Sequence, residues 1–512
     1  QKLTLELYSL CSEAHFSVGN IDEMYSYVDE IIQQETLTEL EKGRAYHCKI
    51  STLGGSGKAS EALALSLDVL GRLGCKFPRT SVGQVAKALS SLSSTKLPKH
   101  DITALSHMID STKKACMMLM THAATYAHYC NNPFAMIMAV ARMVRWTIKH
   151  GIDVSSAAAF ALFGSVKVKL FGEYKLGAQF ADLGLKILTS LEDKTPESRV
   201  TYIVWFMVAP RSRPIHSTLK HLLRGYKVGM QVGDAESAMW NVSMYICSSI
   251  VAGKSLKALA ADCKTYLGQM IALNQDEIYT QSLPFWQGVL NLLGDAKDPL
   301  HLTGTAMDEQ DYLVKIEQMQ SSIQSYAHLQ IFKSMMCSFF GDFETGAKLA
   351  LERGDSYGKT NGSPLVMLDF LHQGISLYAM ARMTERKKYA NAARKITATF
   401  SLWAKKGNVN VAHYIPFLKA EEAALKGKSD DATHLYMAAI SWAARSGFQH
   451  NAALASERFG EYLLYDLKDE GRARSYFLDA AKYYSDWGSD YKSQLLQEKY
   501  SHLLNTMCDL IE

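Results

Sequence analysis

Two stretches of this chain carry one pattern: Phe171-Gly172-Glu173-Tyr174-Lys175-Leu176-Gly177-Ala178 and Phe340-Gly341-Asp342-Phe343-Glu344-Thr345-Gly346-Ala347. Each reads as an apolar helix end, a Gly, an acid, an aromatic, and a second Gly five residues after the first. The first Gly suits the left-handed position that closes a helix, because it has no Cβ to clash there. The acid after it can cap the next helix by accepting orphan N–H groups. The second Gly falls inside that next helix, where it costs about 1 kcal/mol against Ala. Its presence at the same offset in both copies marks a place where two helices approach closely. The pattern is the turn of a helical hairpin.

Looser copies pair a turn Gly with a small or flexible residue at the same offset: Gly19 with Met24, Gly57 with Ala62, Gly233 with Ala238, Gly253 with Ala258 and Gly427 with Ala432. Before Ala473 the turn Gly is replaced by Lys468. Neighbouring copies recur at roughly 40 residues, the period of arrays of stacked helix pairs. The tetratricopeptide pattern is the nearest match, with Tyr436, Ala439 and Ile440 after Ala432, and Val28, Ile31 and Ile32 after Met24. The expected fold is therefore all-α, a right-handed α-solenoid of tetratricopeptide-like hairpins running through residues 1–512, with sub-segments at 1–100, 101–295 and 305–512.

The totals agree. Only 10 Pro occur in 512 residues, which suits long helices because Pro breaks helix interiors. Apolar residues at 48% and charged residues at 21% are those of a folded chain, not a disordered one. The 22 Met fill irregular gaps between helices. A net charge of +4 over this length gives no footprint for nucleic acid or an anionic membrane. The nine Cys are scattered without a CxxC pair, which reads as reduced thiols of a cytoplasmic protein and excludes a zinc framework. No apolar run reaches membrane-spanning length, and no signal peptide opens the chain. It begins at Gln1 in what already reads as a helix, so it is expected to be part of a longer polypeptide.

Along the chain, Ser90–Lys99 reads as an exposed connection, and helices are expected at 102–130, 134–150, 155–170 and 173–190. The run Val200–Val208 is apolar and β-branched enough for a buried strand, but its helical neighbours favour helix. Pro210-Arg211-Ser212-Arg213-Pro214 reads as an exposed turn. Further helices follow at 217–231, 235–252, 256–273, 276–293, 309–340 and 344–353, with loops at Gly294–Gly304 and Gly354–Pro364. Residues 365–511 hold about three more hairpins, with Trp403, Trp442, Tyr476, Tyr484 and Trp487 at packing positions.

Catalytic chemistry finds no foothold. Gly54-Gly55-Ser56-Gly57-Lys58-Ala59 lacks the Gly five before the Gly-Lys pair and the following Ser or Thr that a phosphate loop needs, so it reads as a hairpin turn. His122 and His128 do not share a helix face and form no metal motif. Ser165 has no nucleophile elbow around it. No catalytic residue, metal or cofactor is expected. Arg142, Arg145 and Lys149 line one helix face beside Trp146, and such a stripe in a solenoid groove can hold the carboxylates of an acidic peptide, although a solvated face is the simpler account. Trp146, Trp240 and Trp286 are candidates to line a small-molecule pocket inside the superhelix, although packing in the core is the more ordinary role for them.

The run Leu283-Pro284-Phe285-Trp286-Gln287-Gly288-Val289-Leu290-Asn291-Leu292-Leu293-Gly294, followed by Asp298-Pro299 and Thr303-Gly304, resembles the helical-repeat region of large multidomain signalling proteins. Those proteins join a serine/threonine-kinase-like domain and an AAA-type ATPase to such repeats, often followed by a GAF sensor and a histidine kinase. Leu3–Ile32, Val140–Gly151 with Ala158–Leu188, and Tyr476–Ala481 with Trp487-Gly488 and Lys499-Tyr500 are similar to other blocks of that region. The resemblance implies a cytoplasmic, non-catalytic protein-interaction and signal-relay scaffold whose partners are a protein or peptide and the flanking kinase, ATPase and sensor domains. It departs at Arg211 and Arg213, where the family pattern has a Trp and an acid. The alternative function is small-molecule sensing by a helical-repeat regulatory domain.

Overall fold

The computed structural model describes residues 2–78, 81–319, 322–353 and 363–504, and among these it is helical from end to end, with twenty-five α-helices and no strand. Most helices pack chiefly on a neighbour in sequence, as Ser156–Phe171 does on Tyr174–Ser190 and Gln449–Tyr465 on Glu470–Trp487, while others, such as Ala59–Arg72 on Ser111–Tyr129, pack on the next but one. The chain is an all-α solenoid of helical hairpins. One contiguous apolar core runs from Tyr46 to Leu503, and the first hairpin adds a small cluster of its own around Met24, Val28 and Ile31.

The hairpin turns lie where the glycine pattern puts them. Gly172 (φ +62°) and Gly341 (φ +83°) are left-handed, as are the looser copies, and Lys468 holds φ +55° in the place where Gly is missing. The caps differ between the two best copies. Asp342 accepts from the Thr345 N–H at 3.1 Å, whereas Glu173 makes no side-chain cap and reaches Lys167 at 3.3 Å instead.

The inner glycines mark close helix approaches. A Cβ on Gly177 would sit 2.7 Å from the Gly164 carbonyl oxygen and 2.5 Å from Val168 Cγ2, while one on Gly346 would meet Ser376 Oγ at 2.5 Å. Backbone cannot yield as a hydroxyl can. Gly177→Ala is therefore expected to destabilise by about 1–3 kcal/mol, more than Gly346→Ala, when the two are compared by urea denaturation. Equal costs would show that the approach at Gly177 is not tight.

The sequence expectation fails at several places for stated reasons. Ser90–Ser94 belongs to the Ser81–Ser94 helix, since the Ser93 and Ser94 hydroxyls bond back to the Ser90 carbonyl and Ser91 is buried. Residues 309–340 divide into Glu309–Glu317 and Ser322–Phe340. Trp442 is 51% exposed and packs no core, while Trp403, Tyr484 and Trp487 do. Most of Gly354–Pro364 lies outside the described residues.

Val200–Val208 is helical, but it changes pitch: Glu197–Tyr202 is α, Ile203–Val208 is π, and Ala209–Arg211 is 3-10. A wider turn relieves Pro210, which has no N–H and whose ring would crowd the Phe206 carbonyl in an α-helix. The segment beyond is not an exposed turn. Arg211 is buried and donates to the Ser363 carbonyl at 3.3 Å, and Arg213 pairs with Asp182 at 2.6 Å.

The Arg211 bond, to a residue 152 positions away, is joined by others that link residues farther apart still. Asn410 donates to the Pro210 and Arg213 carbonyls, both at 2.8 Å, and accepts from the Ile215 N–H at 2.9 Å. Asn274 donates to the Gly19 carbonyl at 3.2 Å, Ser489 to that of Leu292 at 2.5 Å, and Lys257 pairs with Asp490 at 2.8 Å. The partners are 195 to 255 residues apart, so one turn of the solenoid stacks directly on the next. The block from Leu283 to Gly304 is also held by its own side chains: Asn291 donates to the Pro299 and His301 carbonyls, and Gln287 accepts from Ala306 N–H.

Candidate functional site

The basic stripe on Pro133–His150 is engaged within the chain. Arg142 donates to Cys75 Sγ at 2.9 Å and to the Lys76 carbonyl at 3.2 Å, and lies over the Phe77 ring at 4.5 Å. Arg145 donates to the Ser91 carbonyl at 3.2 Å and to Ser94 Oγ at 2.9 Å. Only Lys149 is exposed, with Trp146 half-buried and edge-on to His150 at 6.3 Å. The two guanidinium groups thus hold residues 75–77 and 91–95 against this helix.

Two cavities open inside the stack, on either side of a wall made by Ser111–Tyr129, Glu197–Tyr202 and Ala235–Val251. The smaller is an apolar slot of about 60 Å³. Trp240 lines it, stacked on Tyr129 at 5.6 Å, together with Tyr202, Phe206 and Met207 at the entry to and within the π-helix, and Phe285. Of the three sequence-marked tryptophans, Trp240 is the one that reaches this slot, whereas Trp146 and Trp286 pack half-buried against the core.

The larger, of about 520 Å³, is an open cleft whose lining carries more polar groups than the slot does. Its size falls within the ~300–1,000 Å³ of small-molecule sites. His47 and His122 meet across it, Nδ1 to Nε2, at 2.8 Å, and His122 is 1% exposed with no hydrogen-bond partner at Nδ1. Burial lowers both imidazole pKa values, so the pair is neutral. Arg199 faces Glu236 at 3.8 Å and Ser237 Oγ at 3.5 Å, neither a close charged bond. Burial raises the Glu236 carboxyl to about 7, Asp234 adding to the rise and Arg199 opposing it. Asp234 caps Ala235–Val251 by accepting from Ser237 N–H at 3.0 Å, which fixes the first turn that carries Glu236.

Sequence reasoning weighed His122 only as a metal ligand, and no group of three or more metal-type side chains stands together among the described residues. It missed His47, Arg199 and Glu236. Asp234-Ala235-Glu236, a cap followed by an acid in a first turn, was the available signal. It identifies a helix start and does not say what the acid faces.

No protein-family model matches the chain, and no curated protein matches it. Among solved structures it is similar to a circular tandem repeat protein with novel repeat topology and enhanced subunit contact surfaces. The match has 10% identity, covers 100% of this chain and 97% of that one, and has a TM-score of 0.15. No described helix is long and apolar enough to cross a membrane. The packing of the helices themselves makes this a helical-repeat chain, with a cleft walled by its N-terminal half.

Proposed function

We propose that this chain is a non-catalytic protein-interaction and signal-relay scaffold, a segment of a larger cytoplasmic kinase/ATPase signalling protein. The observation that carries the reading is the stacking of turns through Asn410, Asn274 and Ser489. A solenoid touching only sequence neighbours dissipates a displacement along its length. One whose turns are bonded together has interfaces that both ends can bias. The flanking domains come from the resemblance at Leu283–Gly304.

The test is hydrogen exchange on the intact polypeptide with its nucleotide-binding domain loaded and empty. Protection is expected to change at both Lys2–Ser17 and Glu470–Trp487. No change at either end sinks the relay, and an open reading frame with no ATPase or kinase beside this segment removes the kinase connection.

A second reading, small-molecule sensing, is favoured by the two interior cavities and by Trp240 in one of them. A ligand that raises the melting temperature in proportion to the logarithm of its concentration would separate it from the first.

A further inference from the structure

The larger cleft has a feature that packing does not require. Arg199 and Glu236 stand side by side at 3.8 Å without closing into a short ion pair, each in the first turn of its helix. A buried pair left open in this way forgoes most of the attraction that would offset its desolvation. A ligand carrying an anion and a cation on adjacent atoms would complete both halves. The α-carboxylate and α-ammonium of an amino acid share one carbon, so their recognition needs an anion-binding and a cation-binding side chain a few ångströms apart.

The rest of the lining agrees. Asp234 adds a second carboxylate beside Glu236, and Glu13 is already taken by Arg44 at 2.6 Å. Asp153 accepts from Ser155 N–H at 2.9 Å, and exposed Lys114 lies at the rim. Phe16, Met118, Val154 and Val232 provide an apolar surface for a side chain.

We propose that this cleft binds a free α-amino acid, with its carboxylate on Arg199 and its ammonium on Glu236 and Asp234. The inference rests on the small-molecule-sensing reading. It deepens that reading by naming the ligand class and the residues that select it.

The test uses the protein as it stands, with the twenty common L-amino acids at millimolar concentration and melting temperature as the readout, followed by calorimetric titration of any that stabilise. At least one is expected to raise the melting temperature, with the shift growing as the logarithm of its concentration. Its methyl ester, which lacks the carboxylate, and its N-acetyl form, which lacks the ammonium, are each expected to bind at least ~10-fold more weakly, a loss of about 1.4 kcal/mol. The ester and acetyl arms need no mutant, so they hold even if Arg199→Lys or Glu236→Gln folds poorly. Where those variants fold, the same ~10-fold loss is expected. Blocked forms that bind as well as the free amino acid overturn the proposal. So does a panel of other polar metabolites that stabilises the chain when no amino acid does, an outcome that leaves the sensing reading standing. If neither panel shifts the melting temperature, both fall.

Discussion

Replacing Asn410 with Ala is expected to lower the stability of the stacked turns by about 3–5 kcal/mol, among the larger effects a single polar residue can have. The side chain is 3% exposed and makes three hydrogen bonds, all to the backbone at 210–215. Truncation removes the three bonds and leaves the Pro210 and Arg213 carbonyls and the Ile215 N–H without them, in a seam where little water can enter. Leaving a buried polar group unsatisfied costs about 1–3 kcal/mol, and the three together account for the range. Asn410→Asp separates the contributions: it can still accept from Ile215 but can no longer donate, and its charge is opposed by two carbonyls. Urea denaturation combined with hydrogen exchange reads both variants, with exchange accelerating first in 210–215. A loss under 1 kcal/mol for Asn410→Ala would mean the turns are held by apolar packing alone.

Acid should open the same seam. His372 and His450 are 0% and 1% exposed, and burial lowers both pKa values to about 3. His450 has no partner at either ring nitrogen and packs so closely on Gly253 that a Cβ there would lie 2.3 Å from its Nδ1. In the unfolded chain each imidazole titrates near ~6.5, so below that pH the unfolded state takes up protons that the folded state refuses. Stability is therefore complete above about pH 6.5 and falls as the pH drops toward 3. The slope is about 1.4 kcal/mol per pH unit for each histidine. At pH 5 the two together cost about 4 kcal/mol, against a usual total of only 5–15. His122 and His413, also lowered by burial, act in the same direction. Glu236, raised to about 7, acts oppositely, because its contribution is lost as pH rises from the carboxylate range toward 7. It offsets roughly one histidine. Unfolding free energy measured from pH 7 to pH 5 should fall by more than one proton's slope, and His450→Gln should remove about one proton from it. A flat profile would show that water reaches these rings.

The two predictions concern one boundary, and that boundary separates what could be read in the chain from what could not. The hairpins were legible because their signals are local. A Gly at φ +62° or +83°, a second Gly five residues on, and helical spacing of Ala432, Tyr436 and Ala439 each concern residues that touch within a turn or two. Lys468 shows the strength of the signal, holding a positive φ without being Gly. The apolar run Val200–Val208 was legible as helix from its neighbours, but not as a π-helix, because that depends on how Pro210 fits the preceding carbonyl.

The functional surfaces were legible only in part. Trp240 reached an interior slot as its residue type suggested, while Arg142 and Arg145, which as a sequence stripe face an open groove, spend their donors on residues 75–95. The turn around Pro210–Pro214 reads as exposed because five polar or turn-forming residues in a row ordinarily meet water, and its first half, Pro210 and Arg211, is buried because Asn410 and Ser363 come back over it.

Amino-acid order determined the helices, their turns and the close approaches within each hairpin, since these are set by backbone sterics and apolar periodicity over a few residues. Only the tertiary structure decided which turn lies on which, and so which polar side chains are enclosed together. Arg199, Glu236, His47 and His122 come from four separate helices. Nothing in their local sequence encodes a distance fixed by the pitch of the whole stack.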